Sequence, residues 1–188
     1  IEQVMLMSHF ACADELDNPM TAHQLQLFEE TIRGIEAPTS LANSPFILGW
    51  PVPSGDIIRP GLMLYGASPF QELHPNTAQL EAVMSFSTEV IAIREIPSGT
   101  SVGYGNNWSA ERPSRIGTIA LGYGDGYPRH APSGTPVFIH GRQIPIVGRV
   151  SMDLVTVDLT ELPNTKIGTE VEVFGQNLSI NEVASWCG

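Results

Sequence analysis

Five short segments of this 188-residue chain gather the residue types that could carry chemistry. Three are built on glycine: Arg59-Pro60-Gly61-Leu62-Met63-Leu64-Tyr65-Gly66, Val102-Gly103-Tyr104-Gly105, and Gly122-Tyr123-Gly124-Asp125-Gly126-Tyr127-Pro128-Arg129. Two more flank them: Met7-Ser8-His9-Phe10-Ala11-Cys12-Ala13-Asp14-Glu15 near the start and Val147-Gly148-Arg149-Val150-Ser151-Met152-Asp153 near the end. Taken singly, glycine beside tyrosine reads as a tight turn or bulge. Amine chemistry has one source only. Eight of the nine basic residues are arginine, so a reaction that needs a lysine must use Lys166 or borrow one from outside the chain. Cys12 and Cys187 lie far apart without a CxxC pattern, which suggests two reduced thiols and neither a disulfide framework nor a zinc site.

The elements that must position these groups fall into two halves. In the first, Gln3 to Ala11 is an apolar run of the kind found in parallel strands buried on both faces. Asn18 and Pro19 open a helix with Leu25, Phe28, Ile32 and Ile35 at helical spacing and Gly34 near its end. A strand over Thr39 to Asn43, a helical turn from Ser44-Pro45, a strand over Asp56 to Arg59 and an apolar stretch closing at Gly66 complete a β-α-β-α-β order, which implies a parallel sheet with crossover helices. The text from Ala67 to Gln79 is loop-like and marks a domain boundary. Beyond it, Val83 to Ile96, Arg115 to Tyr123, Pro136 to Ile146, Arg149 to Leu159 and Glu170 to Phe174 are strand candidates, with hairpin turns at His140-Gly141 and near Pro163-Asn164.

Composition narrows the function classes. With 42% hydrophobic and 15% charged residues the chain is expected to be folded and soluble. A net charge of −11, with the few arginines spread along the chain, argues against a nucleic-acid partner. Neither a signal peptide nor an apolar stretch of about 18 residues is present, so no membrane partner is expected and the cytosol is the default setting. Ile1 is not an initiator methionine, and Ser179-Ile180-Asn181-Glu182 reads as a capping box for a helix that runs only to Cys187, so the chain reads as cut at both ends.

Together and in this order, SHFACADE, RPGLMLYG, VGYG, GYGDGYPR and VGRVSMD resemble bacterial alanine racemase, a fold-type III enzyme dependent on pyridoxal 5′-phosphate. The resemblance runs through essentially the whole chain. It implies an α/β plus all-β architecture, with residues 1–75 as the C-terminal portion of a cofactor-binding (β/α)8 TIM barrel and residues 80–188 as a mostly β C-terminal domain truncated at its end. Tyr104 matches the tyrosine that serves as one of two catalytic bases, reaching the active site of the opposite subunit in a head-to-tail homodimer. A phenol near pKa 10 needs neighbouring positive charge to do so. Arg59 matches the arginine facing the cofactor's pyridine nitrogen. A guanidinium can only donate, so that nitrogen accepts, stays unprotonated and withdraws electrons weakly, which suppresses transamination. His9 matches the histidine joining Tyr104 to that arginine.

Ser44 and the amides of Gly61 and Leu62 match the phosphate contacts, and both groups sit where a helix begins after a strand, which is a natural anion site. Met152 matches a residue whose main-chain N–H meets the substrate carboxylate, and Tyr123 a tyrosine near the substrate entrance. The family's lysine, which holds the cofactor as a Schiff base and is the second base, has no counterpart here: Lys166 lies in a turn late in the β half. The expected function is interconversion of L- and D-alanine, as a fragment inactive by itself. A non-catalytic pseudoenzyme or dimerisation module, and a racemase of broader amino-acid range, remain as alternatives, with a basic-amino-acid decarboxylase more remote.

Overall fold

The computed structural model describes residues 3–53 and 55–188, in two compact units, Ile1–Val83 and Met84–Gly188. In the first unit β1 (Leu6–Met7) and β2 (Thr39–Ser40) run parallel, Leu6 opposite Thr39 and Met7 opposite Ser40. Helix α1 (Met20–Thr31) is the crossover between them. It starts one residue later than the sequence suggests, with Pro19 as its cap and Asn18 Oδ1 accepting the Met20 N–H at 2.9 Å, and it ends at Thr31, short of Ile35. After β2, Asn43 caps α2 (Ser44–Gly49) by accepting the Phe46 N–H, and Pro45 stands in the first turn, where a missing N–H costs nothing. A small core forms where Phe10 stacks on Phe46 at 4.4 Å and Phe46 on Trp50 at 5.9 Å, over Leu41 and Ala42.

Two expectations for this unit need correction. The strand over Asp56 to Arg59 does not form, so the parallel sheet has two strands. Gly55 makes a single antiparallel bridge to Ser40, the Asp56 carboxylate accepts the Thr39 N–H and hydroxyl at 2.8 and 2.9 Å, and the Asp56 and Ile57 N–H groups converge on the Thr39 carbonyl. A side chain and two convergent amides thus satisfy the edge of β2 where a ladder would have done so. The apolar run of Gln3 to Ala11 also pairs over only two residues, and Val4, Met5 and Met7 remain exposed.

The second unit is built from eight strands and a helix: β3 (Phe86–Ile96), β4 (Ser101–Val102), β5 (Trp108–Ser109), β6 (Ser114–Ile119), β7 (Pro136–Ile139), β8 (Arg142–Pro145), β9 (Val155–Asp158), β10 (Glu170–Phe174) and α3 (Ile180–Cys187). Six of them form one antiparallel sheet in the order β8-β7-β10-β3-β6-β9. Ile146, just past β8, bridges Val157 of β9, so the two ends of the strand order come together there. Period-2 alternation sends Val155, Val157, Val171 and Val173 inward to a fully buried core with Val137, Ile139 and Ile119. His140 and Gly141 turn β7 into β8 with φ of 48° and 80°, as a two-residue hairpin of this twist requires. The turn near Pro163-Asn164 is not a hairpin. It lies on the connection from β9, at one end of the sheet order, to β10, whose two sides are taken by β7 and β3.

Candidate active site

In the first unit the chemistry-bearing residues collect at the carboxyl ends of β1 and β2. Arg59 donates its backbone N–H to Ala42 O at 2.9 Å, which sets its side chain running back across both strands. Nη1 donates to the Ser40 carbonyl at 2.8 Å and the Ser40 hydroxyl at 2.7 Å; Nη2 faces the Ser8 carbonyl at 2.8 Å, the Leu41 carbonyl at 3.2 Å and His9 Nδ1 at 3.4 Å. An imidazole nitrogen facing a guanidinium must accept, so the His9 proton belongs on Nε2. Nε of Arg59 is the one guanidinium nitrogen without a protein partner among the described residues. Two residues further on, Gly61 donates its N–H to the buried Ser44 hydroxyl at 2.9 Å, and Met63 does so at 3.3 Å. Ser44 occupies the first position of α2, and Leu62 opens the short 3-10 turn Leu62–Tyr65. The Gly61 and Met63 amides therefore converge on the Ser44 hydroxyl, which gathers hydroxyl and amides in one place.

In the second unit three motifs meet around an open cleft of about 1220 Å³, lined by Tyr104, Tyr123, Arg129, Arg149, Ser151 and Met152 among others. Tyr104 stands just past β4 in the turn of the β4–β5 hairpin, 71% exposed, while Val102 and Trp108 on the flanking strands pack with Ile116 and Val147 in a small core beneath it. One glycine in the tyrosine loop and one in the loop facing it are required by position. Gly103 has φ 82°, and a Cβ on it would lie 3.0 Å from Arg149 N; Gly148 has φ 78°, and a Cβ on it would lie 2.7 Å from Val102 O. The two loops thus interlock backbone against backbone. Asn107, oriented by its hydrogen bonds, accepts from Nε and Nη2 of Arg149 at 3.0 Å each and donates to Gly105 O, tying the tyrosine loop to the same arginine.

The GYGDGYPR segment is held against the Met152 loop. Tyr123 N–H donates to Ser151 O at 3.0 Å and Gly124 N–H to Met152 O at 2.8 Å, and a Cβ at Gly122 would lie 2.1 Å from that same carbonyl. Met152 O is consumed in this way, whereas its N–H has no acceptor among the described residues. Arg129 stacks over the Tyr123 ring at 5.3 Å. The second tyrosine of the segment is different in kind. Tyr127 is 2% exposed, its hydroxyl meets no partner among the described residues, and burial, with Cys187 adding to it, pushes its phenol up, so it stays neutral and packs with the core. Of the two, only Tyr123 faces the cleft.

An α/β unit with donors gathered at strand ends and a β unit with an exposed tyrosine hairpin are the two domains of one enzyme class. Residues 1–69 match the family model described as alanine racemase, N-terminal domain, and residues 83–188 the one described as alanine racemase, C-terminal domain. The chain belongs to the alanine racemase family. It is 49% identical over 184 residues to an alanine racemase of Pseudomonas fluorescens, which covers 98% of the chain and 52% of that protein. The crystal structure of biosynthetic alanine racemase from Pseudomonas aeruginosa superposes with a TM-score of 0.91 at 46% identity, over 100% of this chain and 52% of that one. An alanine racemase from Bartonella henselae, solved with covalently bound pyridoxal phosphate, superposes at 0.78 with 31% identity, over 98% of this chain and 54% of that one. The chain spans about half the length of the curated relatives it matches, and the expected barrel-plus-β architecture is the one it has.

The structure brings His9 to Arg59 and Ser44 to Gly61, and gathers Tyr104, Tyr123 and Met152 around one cleft. The first group belongs to one unit and the second to the other. Sequence reasoning missed Ser40, Asn107 and the contacts of Arg149. Arg149 lies inside VGRVSMD and Asn107 two residues past VGYG, so their motifs could have flagged them, whereas Ser40 carries no local signal. The donor set in the first unit fits a phosphorylated pyridine: buried hydroxyl and amides at one end, and at the other a fixed cation with one N–H to spare. No helix among the described residues is long and apolar enough to cross a membrane.

Proposed function

We propose that this chain is an internal part of a pyridoxal-phosphate alanine racemase that interconverts L- and D-alanine. Residues 1–75 supply the end of the cofactor barrel and residues 80–188 the β domain. The observation that carries the reading is the Arg59 guanidinium, fixed by four oxygens and His9 so that Nε–H alone is left for a ligand. The cofactor, when bound, supplies the electron-withdrawing ring that acidifies the substrate α-carbon. Ser44 Oγ, the Leu62 amide and the Gly61 amide, which would exchange its bond to Ser44 Oγ for the ligand, would take its phosphate at the start of α2. Arg59 would donate to its ring nitrogen and, unable to give up a proton, keep that nitrogen unprotonated.

Tyr104 moves the proton on one face of the α-carbon, and a lysine from outside these residues moves it on the other, so that inversion follows from placement. Met152 N–H orients the alanine carboxylate and Tyr123 guards the approach. The exposed hairpin carrying Tyr104 suits delivery of that phenol into the site of a second copy, which makes a homodimer part of the reading, with the cytosol as its setting. The test has two arms. The 188-residue chain, purified from a racemase-free host, should show no racemisation, and in the full subunit Tyr104→Phe should lower kcat by about 10²–10⁴-fold while cofactor binding persists. Racemisation by the isolated chain, or an unchanged kcat in the variant, would overturn this assignment of roles.

A further inference from the structure

Arg59 matters to the proposed reaction only if its guanidinium is held in one orientation, and the structure shows which residue holds it. Adjacent residues of β2 point to opposite faces, so Thr39 turns outward to the Asp56 carboxylate and Ser40 inward, where it is 1% exposed. Ser40 gives Nη1 two acceptors at once, its hydroxyl at 2.7 Å and its carbonyl at 2.8 Å. Both N–H bonds of Nη1 are therefore spent on one residue. The other contacts, all on Nη2, are a shared set: Ser8 O, Leu41 O and His9 Nδ1 compete for two hydrogens. A planar guanidinium pinned at Nη1 by two acceptors and at Nη2 by several has no freedom to rotate, and its Nε–H is aimed by default.

We propose that Ser40 is a positioning residue for the reaction: its hydroxyl locks Nη1 of Arg59, and that lock fixes where the Nε–H points. The proposal rests on the reading that Arg59 faces the cofactor's ring nitrogen. Removing the hydroxyl leaves one charged N–H of Nη1 without its acceptor. The guanidinium then turns to recover one, the Nε–H leaves the ring nitrogen, and solvent protons reach that nitrogen. Ser40→Ala should therefore raise the ring nitrogen's apparent proton affinity about tenfold, one pKa unit, and Ser40→Thr, which keeps the hydroxyl, should restore it.

The experiment loads the full racemase subunit with pyridoxal 5′-phosphate labelled with ¹⁵N in the ring and follows that resonance against pH. Displacement in Ser40→Ala with recovery in Ser40→Thr is the expected result. A Ser40→Ala resonance that tracks wild type across the titration, while Arg59→Lys shifts it, overturns the role of Ser40 and leaves the reading of Arg59 standing. A resonance unmoved by Arg59→Lys overturns that reading itself. A change in thermal midpoint alone, with the ring resonance unmoved, would mark Ser40 as merely structural and overturn the proposal. Should Ser40→Ala fail to fold, the wild-type Arg59 resonances decide: separate, slowly exchanging Nη1 and Nη2 signals support the lock, and one averaged signal overturns it.

Discussion

In the unit of residues 84–188, six strands, the ends of their order brought together at the Ile146–Val157 bridge, bury Val137, Val157 and Val171 completely; in the unit of residues 1–83, two strands pair over two residues and leave Met7 64% exposed. The chemistry of the strands explains the contrast. Antiparallel neighbours can be joined by turns as short as His140-Gly141, so a run of them satisfies its own edges locally. Parallel strands draw on partners beyond the next turn and want cover on both faces, and their apolar residues stay in solvent without it. One unit holds a large buried core. The other holds a precise arrangement, around Arg59 and Ser44, on a scaffold with a small core.

The contrast can be broken most sharply by hydrogen exchange. Amides of β6 and β10 should exchange on the order of a hundredfold or more slowly than those of Leu6 and Ser8, and limited proteolysis should spare residues beyond about Leu80. Equal protection in both units would show that the first is as well supported as the second. Truncation sharpens the point: Ile119→Ala, at a fully buried site, should cost about 2–5 kcal/mol in chemical denaturation, whereas Met7→Ala should stay within about 0.5 kcal/mol. A comparable loss at Met7 would mean that β1 is covered in solution.

Smaller effects probe the loops. Gly103→Ala must adopt φ 82° and crowd Arg149 N, and should cost about 1–2 kcal/mol by denaturation while moving the Tyr104 loop, seen as a changed tyrosine fluorescence. The smallest concerns Glu172. Burial pushes its carboxyl up, but the Asn177 side-chain amide and the Asn177 and Leu178 N–H groups outweigh that and hold it below its ordinary 4.5. A carboxyl with a depressed folded pKa adds stability that is present above its unfolded value and lost as pH falls through the folded one. Glu172→Gln should therefore destabilise at neutral pH and leave stability well below 4.5 nearly unchanged, as denaturant midpoints at the two conditions would show.

Much of this was legible because it is local. Strand β10 falls on Glu170–Phe174 as the alternation of glutamate and valine says, and the turn at His140-Gly141 is written in its own residues. The strand expected at Asp56 to Arg59 failed because its pattern is apolar enough but a carboxylate seventeen residues from Thr39 took the amide a ladder would have used. The site divides in the same way. Tyr104, Tyr123, Arg59 and Met152 became candidates through the family resemblance of their motifs, while Ser40 looks like any serine in a short strand until the chain folds Arg59 back over it. Tyr127 shares a motif with Tyr123 yet is core, a distinction that burial makes and spacing does not.

The interlocked glycines at 103 and 148 have a consequence for how such a sequence can change. Each occupies the space a side chain on the other would displace, so a substitution at either would be tolerated only with a compensating shift forty-five positions away. The loop bearing the phenol and the loop bearing the Met152 amide are therefore bound to drift together, and variation in one carries information about the other.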